Sequence, residues 1–339
     1  MKLNAKELSQ ITFGALRVTD EDGLITFDRF TELQKKFYQE TKEGFYKRAL
    51  HTAGIVIDFK TDSEKLSFGY KASFRVTRSR YYFDVYENDM MILHHGEDLG
   101  DRTEGEGEID ITLSRGMKRV RIYLPYSQRI QLTDFELDDG AAVISIQRPL
   151  KALILGDSVT QGFDAQYPSL HYVSLMTERY SMSYINQAIG SETFNEGILG
   201  SEKVTEPDVI TLAMGSNDWA TKAFDEIERD ADKYFSALTN IYEDVPIIYI
   251  SPIWLKHEGN GTTLPTAIEM LESVASSYGA HVIHGLDLVP HDEGMFSDGV
   301  HPTDLGFSEY SKRLFQQTDR IIEIIKKAKE EKEIGLTVL

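Results

Sequence analysis

The sequence predicts two domains: an antiparallel β-sandwich or jelly roll over residues 1–147, then a doubly wound parallel α/β domain over residues 148–339. Three observations carry this. Apolar residues recur at every second position up to about residue 147, and from residue 151 short apolar runs alternate with helical stretches. The chain of 339 residues is also too long for one ordinary core and suits two.

In the N-terminal half, Ile55, Ile57 and Phe59 alternate with Val56, Asp58 and Lys60, and Ile109, Ile111 and Leu113 with Asp110 and Thr112. Val120, Ile122 and Leu124 repeat the pattern, as do Phe83 and Val85. Turn-like segments break these runs at Thr61-Asp62-Ser63, Glu87-Asn88-Asp89 and Gly105-Glu106-Gly107. Such runs read as antiparallel strands with one wet face. A single helix is expected at 31–40.

Beyond Pro149, a natural boundary, strands are expected at 152–155, 182–186, 209–214, 247–250 and 281–284. Helices are expected at 167–180, 222–242, 267–278 and 305–329. Strands alternating with helices imply βαβ units and a parallel sheet, whose ligand crevice lies outside the carboxyl ends of the strands.

Composition narrows the function. Lys and Arg number 36 against 55 Asp and Glu, a formal charge of −19. That field repels a phosphate backbone or an anionic membrane, so neither nucleic acid nor membrane is expected as a partner. With no cysteine, disulfides, thiolate metal sites and Cys nucleophiles are excluded. The first ten residues lack the apolar core of a signal peptide, and a cytoplasmic location is the expectation. No histidine spacing suggests a metal, and no cofactor is expected.

The strongest local signal is Gly156-Asp157-Ser158-Val159-Thr160-Gln161-Gly162, directly after the first parallel strand. Glycine lets the chain turn off a strand end and present Ser158 at the crevice. A phosphate loop fits poorly, because Phe163 and Asp164 stand where Lys and Ser/Thr are needed. Serine requires a base. His301, in Ser297-Asp298-Gly299-Val300-His301-Pro302-Thr303, follows the last strand, and Asp298 is close enough in sequence to curl back onto its ring. A plain turn with Thr303 or Asp304 capping the next helix explains the same segment equally well. Gly215-Ser216-Asn217-Asp218 ends a third strand, where Asn217 could donate to an oxyanion and Asp218 cap a helix.

Together these residues resemble the SGNH (GDSL-like) hydrolases. Gly156-Asp157-Ser158 is similar to the first sequence block of that family, Gly190 to the glycine of the second, Gly215-Ser216-Asn217-Asp218 to the third and Asp298-Gly299-Val300-His301-Pro302 to the fifth, in family order over most of 151–320. The resemblance implies a flavodoxin-like sheet and a serine esterase. Ser158 would be the nucleophile, His301 the base and Asp298 its orienting partner. The oxyanion would be held by the N–H groups of Ser158 and Gly190 and by the Asn217 amide. The N-terminal half, from Ile11-Thr12-Phe13-Gly14-Ala15-Leu16 onward, resembles the β-sandwich of some bacterial carbohydrate esterases.

Asp157, Trp219 and Trp254 are expected to contact substrate, since aromatic faces at a crevice suit sugars or acyl chains; interdomain packing would explain the tryptophans nearly as well. The leading reading is a deacetylase of an acylated carbohydrate or small molecule. A thioesterase or lysophospholipase would keep the same triad, and a non-catalytic carbohydrate-binding protein is the reading from another class. Exposed sandwich surfaces are compatible with a homo-oligomer.

Overall fold

Alternation in the N-terminal half becomes two antiparallel sheets. The computed structural model describes residues 1–200, 202–257 and 259–337 and divides into two units. The first is Met1–Gln147 with Gln166–Ser169, the second Arg148–Ala165 with Leu170–Leu339.

The first unit contains β1 (Thr12–Phe13), β2 (Arg17–Glu21), β3 (Leu24–Asp28), β4 (Val56–Thr61), β5 (Lys65–Ser73), β6 (Arg80–Glu87), β7 (Met90–Asp98), β8 (Gly105–Thr112), β9 (Lys118–Tyr123), β10 (Arg129–Leu137) and β11 (Ile144–Ser145). One sheet runs β1-β4-β9-β6-β7, with β11 on β4, and the other runs β2-β3-β10-β5-β8. Ile57, Phe59, Phe83, Val85, Val120 and Ile122 all point into the space between them and are fully buried. Phe68 and Phe135 stack there with ring centroids 5.6 Å apart, and Phe59 meets Phe135 edge-on. Burying such rings is the main driving force for closing the sandwich.

Local rules decide the details. Where a single helix was expected there are three, α1 (Ala5–Ser9), α2 (Glu32–Thr41) and α3 (Glu43–Ala49), and at α2 a capping box forms: the Gln34 N–H donates to Thr31 Oγ1 and the Thr31 N–H to Gln34 Oε1. Two expectations are corrected. The outward face of β4 is wet at Lys60 but not at Asp58, which is fully buried because Arg119 gives its carboxylate two hydrogen bonds of 2.7 Å. Gly105-Glu106-Gly107 is not a turn but the start of β8. A Cβ at Gly107 would lie 2.6 Å from the Tyr70 hydroxyl, and one at Gly105 2.7 Å from that of Tyr81, so these glycines make room for ring tips.

In the second unit β12 (Leu150–Gly156), β13 (Met182–Asn186), β14 (Val209–Ala213), β15 (Ile247–Ile250) and β16 (His281–Ile283) form a parallel sheet in the order β13-β12-β14-β15-β16. This is the flavodoxin-like order, and its switch point falls between β12 and β14. The central strands are buried on both faces, hence their continuous apolar runs. The helices are α4 (Ser158–Gln161), α5 (Tyr172–Arg179), α6 (Ser216–Thr221), α7 (Phe224–Ile241), α8 (Leu264–Ser277) and α9 (Asp304–Thr337).

Three helix expectations shift. The stretch expected as a helix over 167–180 starts only at Tyr172. Pro168–Leu170 makes a 3₁₀ turn, in which Ser169, itself part of the first unit, gives its N–H (2.9 Å) and hydroxyl (2.6 Å) to Asp84 of β6. The helix expected over 222–242 starts at Phe224, after the separate short helix α6. Lys222 is extended between α6 and α7, its ammonium shared by Asp218 and Asp230 at 2.8 and 2.9 Å. α8 starts before 267 because Thr263 caps it and Pro265 fits its first turn. Among the described residues, no helix is long and apolar enough to cross a membrane.

Candidate active site

Ser158 stands where β12 turns into α4. The turn is tight: a Cβ at Gly156 would lie 2.2 Å from Thr160 Oγ1 and 2.8 Å from the Ala213 carbonyl. Gly162, at φ +103°, ends the short helix in the left-handed region. Asp157, expected at the substrate, turns inward instead. Its carboxylate accepts the Val159 N–H at 3.0 Å as the N-cap of α4. Burial pushes its carboxyl up to about 6, against the downward pull of that hydrogen bond and of His301. Beneath the helix, the buried His171 ring bonds the Val159 carbonyl at 2.8 Å, and burial lowers its pKa to about 4, so it is neutral at pH 7.

The segment carrying His301 is a pinched loop. Phe296 pairs with Pro302 as a β-bridge, and the Ser297 N–H donates to the His301 carbonyl at 2.9 Å. Gly299, at φ +82°, makes the turn between them. Thr303 caps α9 by accepting the Gly306 N–H. Turn, cap and ring geometry therefore coexist. The His301 ring bridges two side chains: Nε2 is 2.9 Å from Ser158 Oγ, and Nδ1 is 2.8 Å from Asp298 Oδ2. The other Asp298 oxygen accepts the N–H groups of Val300 and His301. Burial pushes the Asp298 carboxyl up, but the hydrogen bonds from the His301 ring and these two N–H groups outweigh it and hold it well below the usual range.

Of the remaining residues, Asn217 lies at the other side of the switch point, in the first turn of α6, and gives one amide hydrogen to the Glu192 carbonyl at 3.0 Å. Its second N–H makes no hydrogen bond among the described residues. Gly190 follows β13, but its N–H donates to Gln161 Oε1 at 2.6 Å. The adjacent Ser191 has φ +66°, in the left-handed region. Asp218 does not cap α6. It sits fully buried in the helix, accepting the Phe194 N–H and pairing with Lys222, which fixes the segment after β13 against α6. Gln161 and Asp164 are the site residues that sequence reasoning missed. Asp164 Oδ2 lies 3.8 Å from His301 Nδ1 and accepts the Ser297 hydroxyl. Asp164, Asp298 and His301 also present donor atoms within 4.8 Å of one another, the one such grouping found among the described residues with the geometry to hold a cation.

Trp219 and Trp254 line one cavity of about 700 Å³ with Leu255, His257, Thr262 and His291. They differ in kind. Trp219 is buried, its indole N–H given to the Thr262 carbonyl at 3.0 Å. Trp254 is half-buried and stacks on the His291 imidazole, centroids 5.7 Å apart, while its ring also packs on Phe296. The cavity wall is continuous with the histidine loop, because the Lys256 N–H donates to the Gly299 carbonyl at 2.7 Å.

Residues 154–308 match the model of the GDSL-like lipase/acylhydrolase family. This chain carries a GDSL-like acylhydrolase domain. It is, in class, a carboxylic ester hydrolase, and the matched residues lie in the second unit except for Gln166–Ser169. No curated protein sequence matches the chain. Among solved structures, the salicylyl-acyltransferase SsfX3 from a tetracycline biosynthetic pathway is 17% identical with a TM-score of 0.78, over 91% of this chain and 94% of its own. A family two carbohydrate esterase from Clostridium thermocellum, in complex with cellohexaose, is 13% identical with a TM-score of 0.61, over 80% and 93%. An acetyl xylan esterase from the rumen bacterium Butyrivibrio proteoclasticus is 13% identical with a TM-score of 0.59, over 80% and 91%. These likenesses extend the shared fold beyond the acylhydrolase domain into the N-terminal β-sheets.

Proposed function

We propose that the acylhydrolase domain removes acetyl or other short acyl groups from an acylated carbohydrate or similar small alcohol, with Ser158, His301 and Asp298 as its triad. The observation that carries this reading is the line of contacts Asp298–His301–Ser158, in which each ring nitrogen of His301 faces a different partner. Asp298 fixes the tautomer with the proton on Nδ1, leaving Nε2 to accept the Ser158 proton as Oγ attacks the ester carbonyl. The tetrahedral oxyanion is met by the Ser158 N–H and the Asn217 amide. His301 then passes its proton to the leaving alcohol, and the acyl-serine remains. Water, deprotonated by the same ring, hydrolyses it and restores Ser158.

The sugar ester is supported by the partly exposed Trp254 face beside the histidine loop and by the names of two neighbours, a carbohydrate esterase in complex with cellohexaose and an acetyl xylan esterase. One observation favours a second reading. SsfX3, an acyltransferase, shares the fold over more than nine-tenths of both chains. The same acyl-serine would then be resolved by an acceptor hydroxyl in place of water.

The test is hydrolysis of p-nitrophenyl esters from acetate to long acyl chains, with Ser158→Ala as control. Turnover confined to short chains and lost by several orders of magnitude in the variant supports the proposal. A rate rising with chain length would instead favour a lipid or thioester substrate, and undiminished turnover by Ser158→Ala would overturn the triad. Adding a sugar alcohol acceptor and resolving acyl-sugar from free acid separates transfer from hydrolysis.

A further inference from the structure

His301 Nδ1 faces two carboxylates, not one. Asp298 Oδ2 is at 2.8 Å and Asp164 Oδ2 at 3.8 Å. They sit in different surroundings: the Asp298 side chain is 42% exposed, that of Asp164 only 5%. Asp164 reaches this place through the turn that ends α4. The Ala165 N–H donates to the Gly162 carbonyl, and Asp164 takes φ +68° within that turn. Ser297 then joins the two segments, giving its hydroxyl to Asp164 Oδ2 and its N–H to the His301 carbonyl. A buried charge acts on its neighbour through a lower effective dielectric than an exposed one. At the somewhat longer distance Asp164 is therefore a strong second anion beside the ring.

We propose that Asp164 is a second positioning residue for His301: its buried carboxylate backs the imidazolium that forms as Ser158 attacks, and it takes over the Nδ1 proton when Asp298 is lost. The inference rests on the triad reading above. The other charged groups around His301 are Asp157 at the α4 N-cap, which acts on it through space, and Lys256 beside Gly299, whose ammonium is paired with Glu293 at 2.7 Å.

The experiment measures kcat, KM and the pH profile of kcat/KM on p-nitrophenyl acetate for the full chain, Asp164→Asn, Asp298→Asn and the double variant, each checked for folding by circular dichroism. Losing an only orienting carboxylate costs roughly 10⁴-fold in rate. Here Asp298→Asn alone should lose only about 10–100-fold, and the double variant about 10⁴-fold. Asp164→Asn should lower kcat about tenfold with KM unchanged, and move the acid limb of the profile to lower pH, because removing an anion disfavours the imidazolium. Ser297→Ala, which strips a hydrogen bond from the Asp164 carboxylate, should move that limb the other way and supplies the readout where Asp164→Asn does not fold. An unmoved limb in both variants overturns the proposal, as does an Asp298→Asn enzyme as inactive as the double. Chelator sensitivity of the wild type, reversed by a divalent cation, also overturns it, since the three residues would then be a metal site. Full activity of Ser158→Ala marks failure of the triad itself. An inactive Ser158→Ala beside unshifted profiles marks failure of the Asp164 role alone.

Discussion

The Gly190 N–H donates to the side-chain oxygen of Gln161 at 2.6 Å, and both groups are buried. One of the three expected oxyanion donors is thus already engaged within the protein. The Ser158 N–H, in the first turn of α4, makes no hydrogen bond among the described residues, and the Asn217 amide keeps one hydrogen in hand. On the mechanism proposed above, the oxyanion then depends more heavily on Asn217. Asn217→Ala should lower kcat on p-nitrophenyl acetate by about 10²–10³-fold with little change in KM. A loss below tenfold would mean that Asn217 serves only to hold the Glu192 carbonyl.

Gly190 is also linked to His301 through one ring. A Cβ there would lie 2.7 Å from Phe163 Cζ, and the Phe163 ring packs on His301 with centroids 5.3 Å apart. Gly190→Ala should push Phe163 towards the imidazole and reduce kcat about 10–100-fold, because small misplacements of a catalytic group are costly. Adding Phe163→Leu relieves the overlap and should restore part of the rate. Equal inactivity of single and double variants would show that the glycine matters for another reason, and the double-mutant cycle on kcat measures the coupling directly.

Asp157 gives a prediction for stability. Burial raises its carboxyl from 3.8 to about 6 in the folded protein. Between those values the folded state binds the proton more tightly than the unfolded chain, so stability falls as pH rises through that window and the deficit is complete above it. Two units correspond to about 3 kcal/mol. Asp157→Asn keeps an oxygen that can accept the Val159 N–H and removes the charge. Melting curves should show the variant stabilised relative to wild type at pH 8, with the difference shrinking towards pH 4. A variant equally or less stable at pH 8 would show that the buried charge is compensated in the folded protein.

Much of this was legible in the chain. Period-two runs such as Ile55–Ile57–Phe59 report strands because side chains alternate faces, and the run before Gly156 reports a strand buried on both sides. Ser158, Asp298 and His301 could be nominated because each follows a strand end and loops at the carboxyl edge converge on one crevice. Asp164 and Gln161 were not legible, because their partners, His301 and Gly190, are distant in sequence and no local spacing encodes the approach. Asp58 misled for a similar reason. An acid at an alternating position normally marks the wet face, and only the pairing of β4 with β9 brings Arg119 close enough to bury it. Asp157 was misplaced because a residue beside a nucleophile and a helix N-cap have the same sequence signature.

On the proposed sugar-ester reading, Trp254 serves recognition of the alcohol and not the chemistry. Its ring is half-buried, stacked on His291 and packed on Phe296, and the segment it leads is tied to Gly299 through the Lys256 N–H. Replacing it with alanine removes an aromatic face without touching Ser158, His301 or Asp298. Stacking of a sugar ring on such a face contributes binding that is equal in ground and transition states, so its loss should appear in KM. Trp254→Ala should therefore raise KM at least tenfold on an acetylated cello- or xylo-oligosaccharide while leaving its kcat nearly unchanged. On vinyl acetate, whose leaving group is too small to span the cavity, both constants should stay within a few-fold of wild type. If instead kcat falls on both substrates alike, Trp254 acts through the Phe296 contact to hold the histidine loop, and the sugar must be recognised elsewhere.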